Sequence, residues 1–529
     1  MPDAPISRTG FLTVRVLSAR GLSLPNGASI PATTQLALST NQAQVVSSMT
    51  SHNVNQQHRM AQDSGKWGSF QRNVCWWLPY LVLEFDKNEV VVDPLGGTIQ
   101  EPVWMFQTRF DVTRVSEIAL HFYLRNGSMN EDSDNYELGQ SDLFMGNLAF
   151  VPDFDRRGTV EQWYDVSSGS GQVNVAVTFR AITSQPLSVE SFNFLRTIGK
   201  GSFGHIMQVQ KKDTYHKYAL KSIRKAQIAS WIEITDTLAE RSVLAQVNSP
   251  FIVSLKFSFQ SPTKLYLLLP FINGGELLYH LQREQRFDEE RSRFYAAELL
   301  LALEHLHAFD VTYQELKPEN ILLNYTGHIA VSDFSLCRLT MSDQDDKSTY
   351  SGNCEWLAPE LILDHGYTKS ADWWTLGTFL YEMLAGLPPY YDENTVVMYR
   401  KILQDPLRFG DEFGPDACSL LNALLTRDPL QRLGANGAEE IRKHPFFNSI
   451  DFERLLAKKI QPPFKPGVVG NADVRYSLDY LHNETDWILT GHVPTASTQS
   501  LLPKRRILMS GRAWIIKTIH WMFYTGGAD

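Results

Sequence analysis

Short runs of alternating polar and apolar residues fill the first third of the chain, and longer helical periods replace them further on. Phe11-Leu-Thr-Val-Arg-Val-Leu17 is rich in strand formers and partly alternates, and Gln172-Val-Asn-Val-Ala-Val-Thr-Phe179 alternates at period two. Between them, Trp77-Leu-Pro-Tyr-Leu-Val-Leu-Glu-Phe85 and Ile118-Ala-Leu-His-Phe-Tyr-Leu124 read as further strands. Turn signals stand in the intervals at Asn26-Gly27, Gly96-Gly97 and Asn126-Gly127. Short strands spaced in this way predict an all-β sandwich over residues 8–183 rather than a βαβ sheet. The polar, glutamine- and serine-rich residues 41–72 predict a long loop, and 184–191 a short Ser/Pro linker.

Beyond the linker stands Gly199-Lys-Gly-Ser-Phe-Gly204. Alone, this spacing also fits a dinucleotide turn that opens a helix. The flanks decide otherwise, because Ile206-Met-Gln-Val-Gln210 and Tyr218-Ala-Leu-Lys221 continue as strand, turn and strand. The glycines then cap a hairpin suited to lie over phosphates, and Lys221 falls where a phosphate-binding lysine belongs. Glu240, in the apolar-periodic Thr237-Leu-Ala-Glu-Arg-Ser-Val-Leu244, is its natural ion-pair partner. Either residue alone would read as an ordinary solvated charge; their order within the whole motif series argues for a pair. Leu265-Tyr-Leu-Leu-Leu269 leads as a strand into Pro270-Phe-Ile-Asn-Gly-Gly-Glu276. Pro270 lacks an N–H but keeps its carbonyl, so a neighbouring N–H at Ile272 is left to read adenine.

Val311-Thr-Tyr-Gln-Glu-Leu-Lys-Pro-Glu-Asn320 follows, and thirteen residues later Asp333-Phe-Ser335. A base position, a lysine and an asparagine at this spacing, then an aspartate ahead of a phenylalanine, are the parts phosphoryl transfer needs. Ala358-Pro-Glu360, Asp372 and Arg432 complete the series as structural anchors. From Phe192 to Phe447 the chain resembles a serine/threonine protein kinase of the AGC group. With Cys75 to Val90 in front, it is similar up to about Pro466 to the fungal relatives of serum- and glucocorticoid-regulated kinase.

That resemblance implies a bilobal α+β kinase domain at 192–447, with a small lobe at 192–269 and a large lobe at 274–447, and a C-terminal tail at 448–529. It implies ATP and Mg2+ as cofactors, held by Gly199, Gly201, Gly204, Ile206, Ala219, Lys221, Glu240, Pro270 and Ile272 for the nucleotide and by Asn320 and Asp333 for the metal. Glu315 takes the catalytic base position and Lys317 the transferred phosphoryl group. Glu276, Glu319 and Glu382 match positions that read arginines upstream of the acceptor, where a carboxylate suits a guanidinium fork. Thr349 matches the regulatory threonine. Protein substrates with upstream basic residues, a phosphoinositide-dependent kinase and a TOR complex are the implied partners.

The chain departs from the family pattern around the transfer site. Glu315 stands for an aspartate and carries one methylene too many, a displacement of about an ångström that can cost on the order of a hundredfold. The base itself contributes roughly 10²–10⁴. Gln314 replaces an arginine that clamps a phosphorylated activation loop, Ser335 replaces a glycine, and Asn353-Cys354 replace Thr-Pro. Together they predict ATP binding with impaired transfer. A catalytically dead pseudokinase that acts as a scaffold or sequesters substrates, and a membrane adaptor, are the alternatives.

Composition narrows this picture only slightly. The chain has 529 residues, room for two or three domains, and 43% hydrophobic with 20% charged residues is ordinary for a globular protein. A formal net charge of -9 argues against nucleic acid as a partner. Cys75, Cys337, Cys354 and Cys418 lie far apart with no metal-ligand spacing, as expected of free thiols in a reducing compartment. Without a signal sequence or an apolar run of about 20 residues, the expectation is a cytoplasmic protein, peripheral at membranes if it meets them.

Val14-Arg-Val-Leu-Ser-Ala-Arg-Gly-Leu22 and Ser141-Asp-Leu-Phe-Met-Gly146 resemble a C2-like domain, whose relatives often bind calcium and then membrane lipid. Calcium needs six to eight oxygen ligands. Asp132, Asp134 and Asp142 come from one side, but Leu24 to Ala32 opposite contains no acid, so a calcium-independent module is the stronger expectation. The Ile460-Gln-Pro-Pro-Phe-Lys-Pro466 stretch begins like the family tail. Residues 501–524 are basic and apolar together; an interfacial amphipathic segment, a tail packed on the kinase and an artefact of the gene model all fit.

Overall fold

A computed structural model describes residues 9–25, 28–30, 77–125, 142–181, 187–201, 204–228, 231–314, 316–334, 337–339 and 354–466. The loop expected over 41–72, the chain beyond 466, and Asp132, Asp134, Glu315, Ser335, Thr349 and Asn353 lie outside the described residues.

The N-terminal region is built from β1 (Gly10–Arg20), β2 (Tyr80–Phe85), β3 (Asn88–Val92), β4 (Gly96–Gly97), β5 (Pro102–Val112), β6 (Ile118–Leu124), β7 (Leu143–Phe150), β8 (Thr159–Asp165) and β9 (Gln172–Ala181). They form two sheets, ordered β4-β5-β1-β9-β8 and β3-β2-β6-β7. Alternation explains the packing. Leu12, Val14 and Val16 of β1 and Val173, Val175 and Val177 of β9 point inward, where they meet Leu81, Leu83 and Phe85 of β2 and Leu120 and Phe122 of β6 in one shared core.

The mixed α/β part begins at β10 (Phe192–Gly201), β11 (Gly204–Lys211) and β12 (Lys217–Arg224), continues through α1 (Trp231–Gln246), and adds β13 (Phe257–Gln260) and β14 (Lys264–Pro270). These strands make one antiparallel sheet, β10-β11-β12-β14-β13. After it the chain becomes mainly helical, with α2 (Leu277–Glu284), α3 (Glu289–Ala308) and α4 (Lys369–Ala385) around a large apolar core. Two small ribbons interrupt the helices: β15 (Val311–Thr312) with β18 (Arg338–Leu339), and β16 (Ile321–Leu323) with β17 (Ile329–Val331). Half of the expected linker is packed: Val189–Ser191 forms a 3-10 turn, and Leu187 and Val189 lie against the five-stranded sheet.

β2 lacks the alternation of β1 because both its faces are covered. Its second face presents Tyr80 and Val82, which with Tyr123 of β6 enclose Tyr325 from the turn between β16 and β17. Tyr325 N–H donates to Glu89 Oε2 at 2.9 Å. The chain after α4 passes the same turn: a Cβ on Gly327, at φ 97°, would meet the Phe464 carbonyl at 1.9 Å, so only glycine lets that segment through. Lys458 and Lys465 then reach back to the sandwich, at 3.0 Å to Glu84 and 3.3 Å to Asp142. The Asp142 carboxylate also accepts from the Tyr80 hydroxyl at 2.5 Å, so this candidate calcium ligand serves an ion pair between two parts of the chain.

A second contact joins the sandwich to the five-stranded sheet. Val209, Tyr218, Leu220 and Leu268 form an apolar face of that sheet, and the Tyr218 hydroxyl donates to Asp111 of β5 at 3.0 Å. Lys211 lies 2.9 Å from the same carboxylate, Thr214 3.2 Å, and the His216 ring stacks on Phe110 with centroids 4.6 Å apart. Burial with the Asp111 charge raises the Tyr218 pKa, keeping its hydroxyl a donor. Removing one partner of a buried pair strands the other, at about 3–5 kcal/mol. Asp111→Ala therefore lowers stability by about that amount in chemical denaturation, whereas exposed Asp213→Ala changes it by less than about 1 kcal/mol.

Candidate active site

The site begins with the register of the five-stranded sheet. Gly201 pairs with Gly204, so the glycine-rich stretch is the tip of the β10–β11 hairpin. Ile206 stands opposite Lys221, which in turn stands opposite Leu267, and Ala219 stands opposite Leu269. Cross-strand partners and residues two apart share a face, so Ile206, Ala219 and Lys221 lie on one side of the sheet. Pro270 closes β14, where it takes the place opposite Tyr218. Ile272 follows, half-buried.

α1 supplies the partner for Lys221. Glu240, Val243, Leu244 and Val247 recur at the helical period, so the carboxylate shares a stripe with the residues that seat the helix in the core. Glu240 is buried and its Oε1 lies 2.6 Å from Lys221 Nζ. Asp333 approaches the same ammonium at 3.3 Å. Burial alone would pull the lysine pKa down; Asp333 and then Glu240 outweigh it and raise it, so Lys221 is protonated at neutral pH. Asp333 has a φ of 53°, a left-handed conformation that is rare outside glycine and clusters at functional sites.

The two loops that carry Asn320 and Asp333 are tied through Ser332. Its N–H and hydroxyl both donate to the Asn320 carbonyl, at 2.8 and 2.9 Å. Its own carbonyl accepts from the Tyr313 hydroxyl, whose ring packs on Phe334. Below them Asp372, fully buried in α4, accepts from Tyr313 N–H at 3.0 Å and Gln314 N–H at 3.1 Å. Tyr367 and His307 complete its shell at 2.6 and 2.7 Å. The Gln314 amide turns back to donate to Thr312 at 3.1 Å. Glu360 and Arg432 are bidentate at 2.7 and 2.8 Å. The pair is buried and anchors the helical part.

A second acidic group borders the loop that carries Asn320. Glu276 is bridged backbone to backbone with Leu322, two residues after Asn320, which sets it beside Glu319. Its protein surroundings, and next the Glu319 charge, push Glu276 up to about 7 against the pull of Lys317. One buried carboxylate oxygen of Glu319 has no hydrogen-bond partner among the described residues. Glu382 differs from both. It is buried and its carboxylate accepts from the Trp356 indole at 2.8 Å.

Sequence reasoning missed the fastenings of these loops. Ser332 and Tyr313 carry no motif signal of their own, and the sandwich residues behind the sheet are announced only by the apolar Tyr80-Leu-Val-Leu83 that opens β2.

Comparison with known proteins adds the lineage. A protein kinase domain model matches residues 192–447. The chain is 50% identical over 473 residues to serine/threonine-protein kinase gad8 of Schizosaccharomyces pombe, covering 89% of this chain and 80% of that protein. It is 45% identical over 523 residues to serine/threonine-protein kinase YPK2/YKR2 of Saccharomyces cerevisiae, covering 89% of this chain and 76% of that one. Serine/threonine protein kinase ypkA of Aspergillus fumigatus is 52% identical over 431 residues, 75% of this chain and 67% of its own length. The paired Lys221 and Glu240, the loops of Asn320 and Asp333 and these likenesses lead to one conclusion: the chain belongs to the AGC group of serine/threonine protein kinases, among its fungal members, whose general activity is phosphoryl transfer to serine and threonine.

Proposed function

We propose that this chain transfers the γ-phosphate of MgATP to Ser/Thr hydroxyls in substrates with upstream basic residues, and that the step is slowed at Glu315. The observation that carries the reading is the placement of Lys221 between Glu240 and Asp333, 2.6 and 3.3 Å away. In this reading Gly199, Gly201 and Gly204 cover the phosphates, Lys221 holds them, and Ile206, Ala219, Pro270 and Ile272 border the base. Asn320 and Asp333 offer hard oxygen donors suited to Mg2+. When bound, the metal neutralises charge on the transferring phosphoryl group. Glu315 takes the proton of the acceptor hydroxyl, whose oxygen attacks the γ-phosphorus as the bond to the β-phosphate bridge breaks. Lys317 steadies the phosphoryl oxygens.

Glu276 and Glu319 are the proposed arginine readers, supported by the rise of the Glu276 pKa beside the Glu319 charge and by the unpaired oxygen of Glu319. Glu382 supports the floor beneath Trp356 and joins them only if that tryptophan moves. The domain limits we infer are a C2-like sandwich at 8–183, two kinase lobes at 192–269 and 274–447, and a tail from 448. A phosphoinositide-dependent kinase and a TOR complex are the proposed upstream partners, acting on Thr349 and the tail. A pseudokinase reading is favoured by one observation: position 314 carries a neutral amide, which donates to Thr312 at 3.1 Å.

Two measurements follow. Purified chain with radiolabelled MgATP and an arginine-rich peptide incorporates phosphate, and Lys221→Ala does not; equal counts in both would sink the assignment. Glu276 must be ionised to pair with arginine, so as a carboxyl raised to about 7 it gains charge as pH rises through that value. The KM for the peptide therefore falls between pH 6 and 8. Glu276→Gln flattens the profile and raises KM about tenfold, in line with a charged hydrogen bond of roughly 1.5–3 kcal/mol.

A further inference from the structure

Behind the nucleotide face, the two-residue turn between β2 and β3 meets the segment that follows α1. Phe85 pairs with Asn88, so Asp86 and Lys87 alone form the turn. Their φ values are 47° and 64°, the left-handed pair of a type I′ turn that Asn-Gly normally fills. Non-glycine residues persist in such a turn when their surroundings over-determine them. Here the surroundings are residues 247–256. Lys87 Nζ donates to the Ile252 carbonyl, and the Asp86 carboxylate pairs with Lys256, which also donates to the Asp86 carbonyl. Arg114, 3.6 Å from Asp86, spans the segment with its two amino groups, donating to the Val247 carbonyl at 3.2 Å and the Leu255 carbonyl at 2.7 Å.

Residues 247–256 bond to the helix that carries Glu240, to the strand before Asp333 and to the strand beside Lys221. Val247 N–H continues α1 by donating to Val243, and Leu255 N–H returns to Leu244, so the segment is folded onto the helix that carries Glu240. Val253 N–H and Val331 N–H exchange bonds across the segment, at 2.9 Å to Val331 and 2.8 Å to Phe251, two residues before Asp333. Lys256 N–H donates at 2.9 Å to Leu268 of β14, the strand beside Lys221.

We propose that Asp86, Lys87 and Arg114 are positioning residues of the nucleotide site, supplied by the N-terminal sandwich. By satisfying the carbonyls of Val247, Ile252 and Leu255 they fix one segment against α1, β14 and β17 at once. They thereby set how Glu240 and Asp333 meet Lys221. Buried carbonyls that lose their donors must find water or move. A lysine at position 114 reaches one carbonyl where the planar guanidinium reaches two. The inference rests on the nucleotide reading of Lys221, Glu240 and Asp333.

The test uses the full chain and reads MgATP affinity by calorimetry, which needs no transfer, with melting temperature and peptide KM beside it. Lys87→Met and Arg114→Met weaken MgATP binding about tenfold while peptide KM stays within about twofold, and Arg114→Lys falls between parent and Arg114→Met. The control is Lys458→Met, which breaks the 3.0 Å pair with Glu84 elsewhere on the same interface. It lowers the melting temperature and leaves MgATP affinity unchanged. If parent and Arg114 variants bind MgATP equally while all melt lower, the contact is structural only and the inference fails. A parent that binds no MgATP overturns the nucleotide reading and this inference with it. Should Lys87→Met not fold, Arg114→Lys decides the matter alone.

Discussion

One ammonium group held between two carboxylates organises this molecule. Lys221 comes from the sheet, Glu240 from α1 and Asp333 from the loop after β17, so their meeting requires three separately built elements to be in register. Opposite charges that converge in a mostly buried place favour one another only while the geometry holds, because each would otherwise be costly to desolvate. Much of the remaining structure serves to hold it. Asp372 fixes the backbone of the catalytic loop from below, Ser332 laces that loop to the one carrying Asp333, and the Glu360–Arg432 pair braces the helices beneath.

The N-terminal sandwich belongs to the same scheme. A free sheet-and-helix domain would present Tyr218, Lys211 and the 247–256 carbonyls to solvent. Here Asp111, Asp86, Lys87 and Arg114 cover them. The sandwich also receives Tyr325 and the lysines that follow the helical part, so it touches the sheet, the helices and the beginning of the tail. Two sheets that could have formed an independent module are instead fastened on several sides by buried charges, which tolerate little slippage.

Local pattern made a good deal of this legible. Period-two alternation gave β1 and β9, and the glycine spacing with its flanking strands gave the β10–β11 hairpin. Motif order brought together Lys221, Glu240, Asn320 and Asp333 across more than a hundred residues. What escaped were contacts without local periodicity. Asp86-Lys87 carries no glycine or asparagine to mark a tight turn, and only tertiary packing buries Asp86 and holds both residues at positive φ. The four consecutive apolar residues Tyr80 to Leu83 of β2 were a sign of covering on two faces, but a sequence does not say by what. Glu382 likewise carries no local sign of its packing: it is buried and accepts from the Trp356 indole at 2.8 Å.

In the proposed function the Lys221 cluster is in place, and residues 314 and 315 limit transfer. The direct test is to measure kcat and MgATP affinity together for the full chain and for the double substitution Gln314→Arg with Glu315→Asp. The expected kcat of the double variant is higher by about a hundredfold, from restored alignment and base, with MgATP affinity unchanged. An unchanged kcat at unchanged affinity would contradict it and leave a nucleotide-binding scaffold in its place.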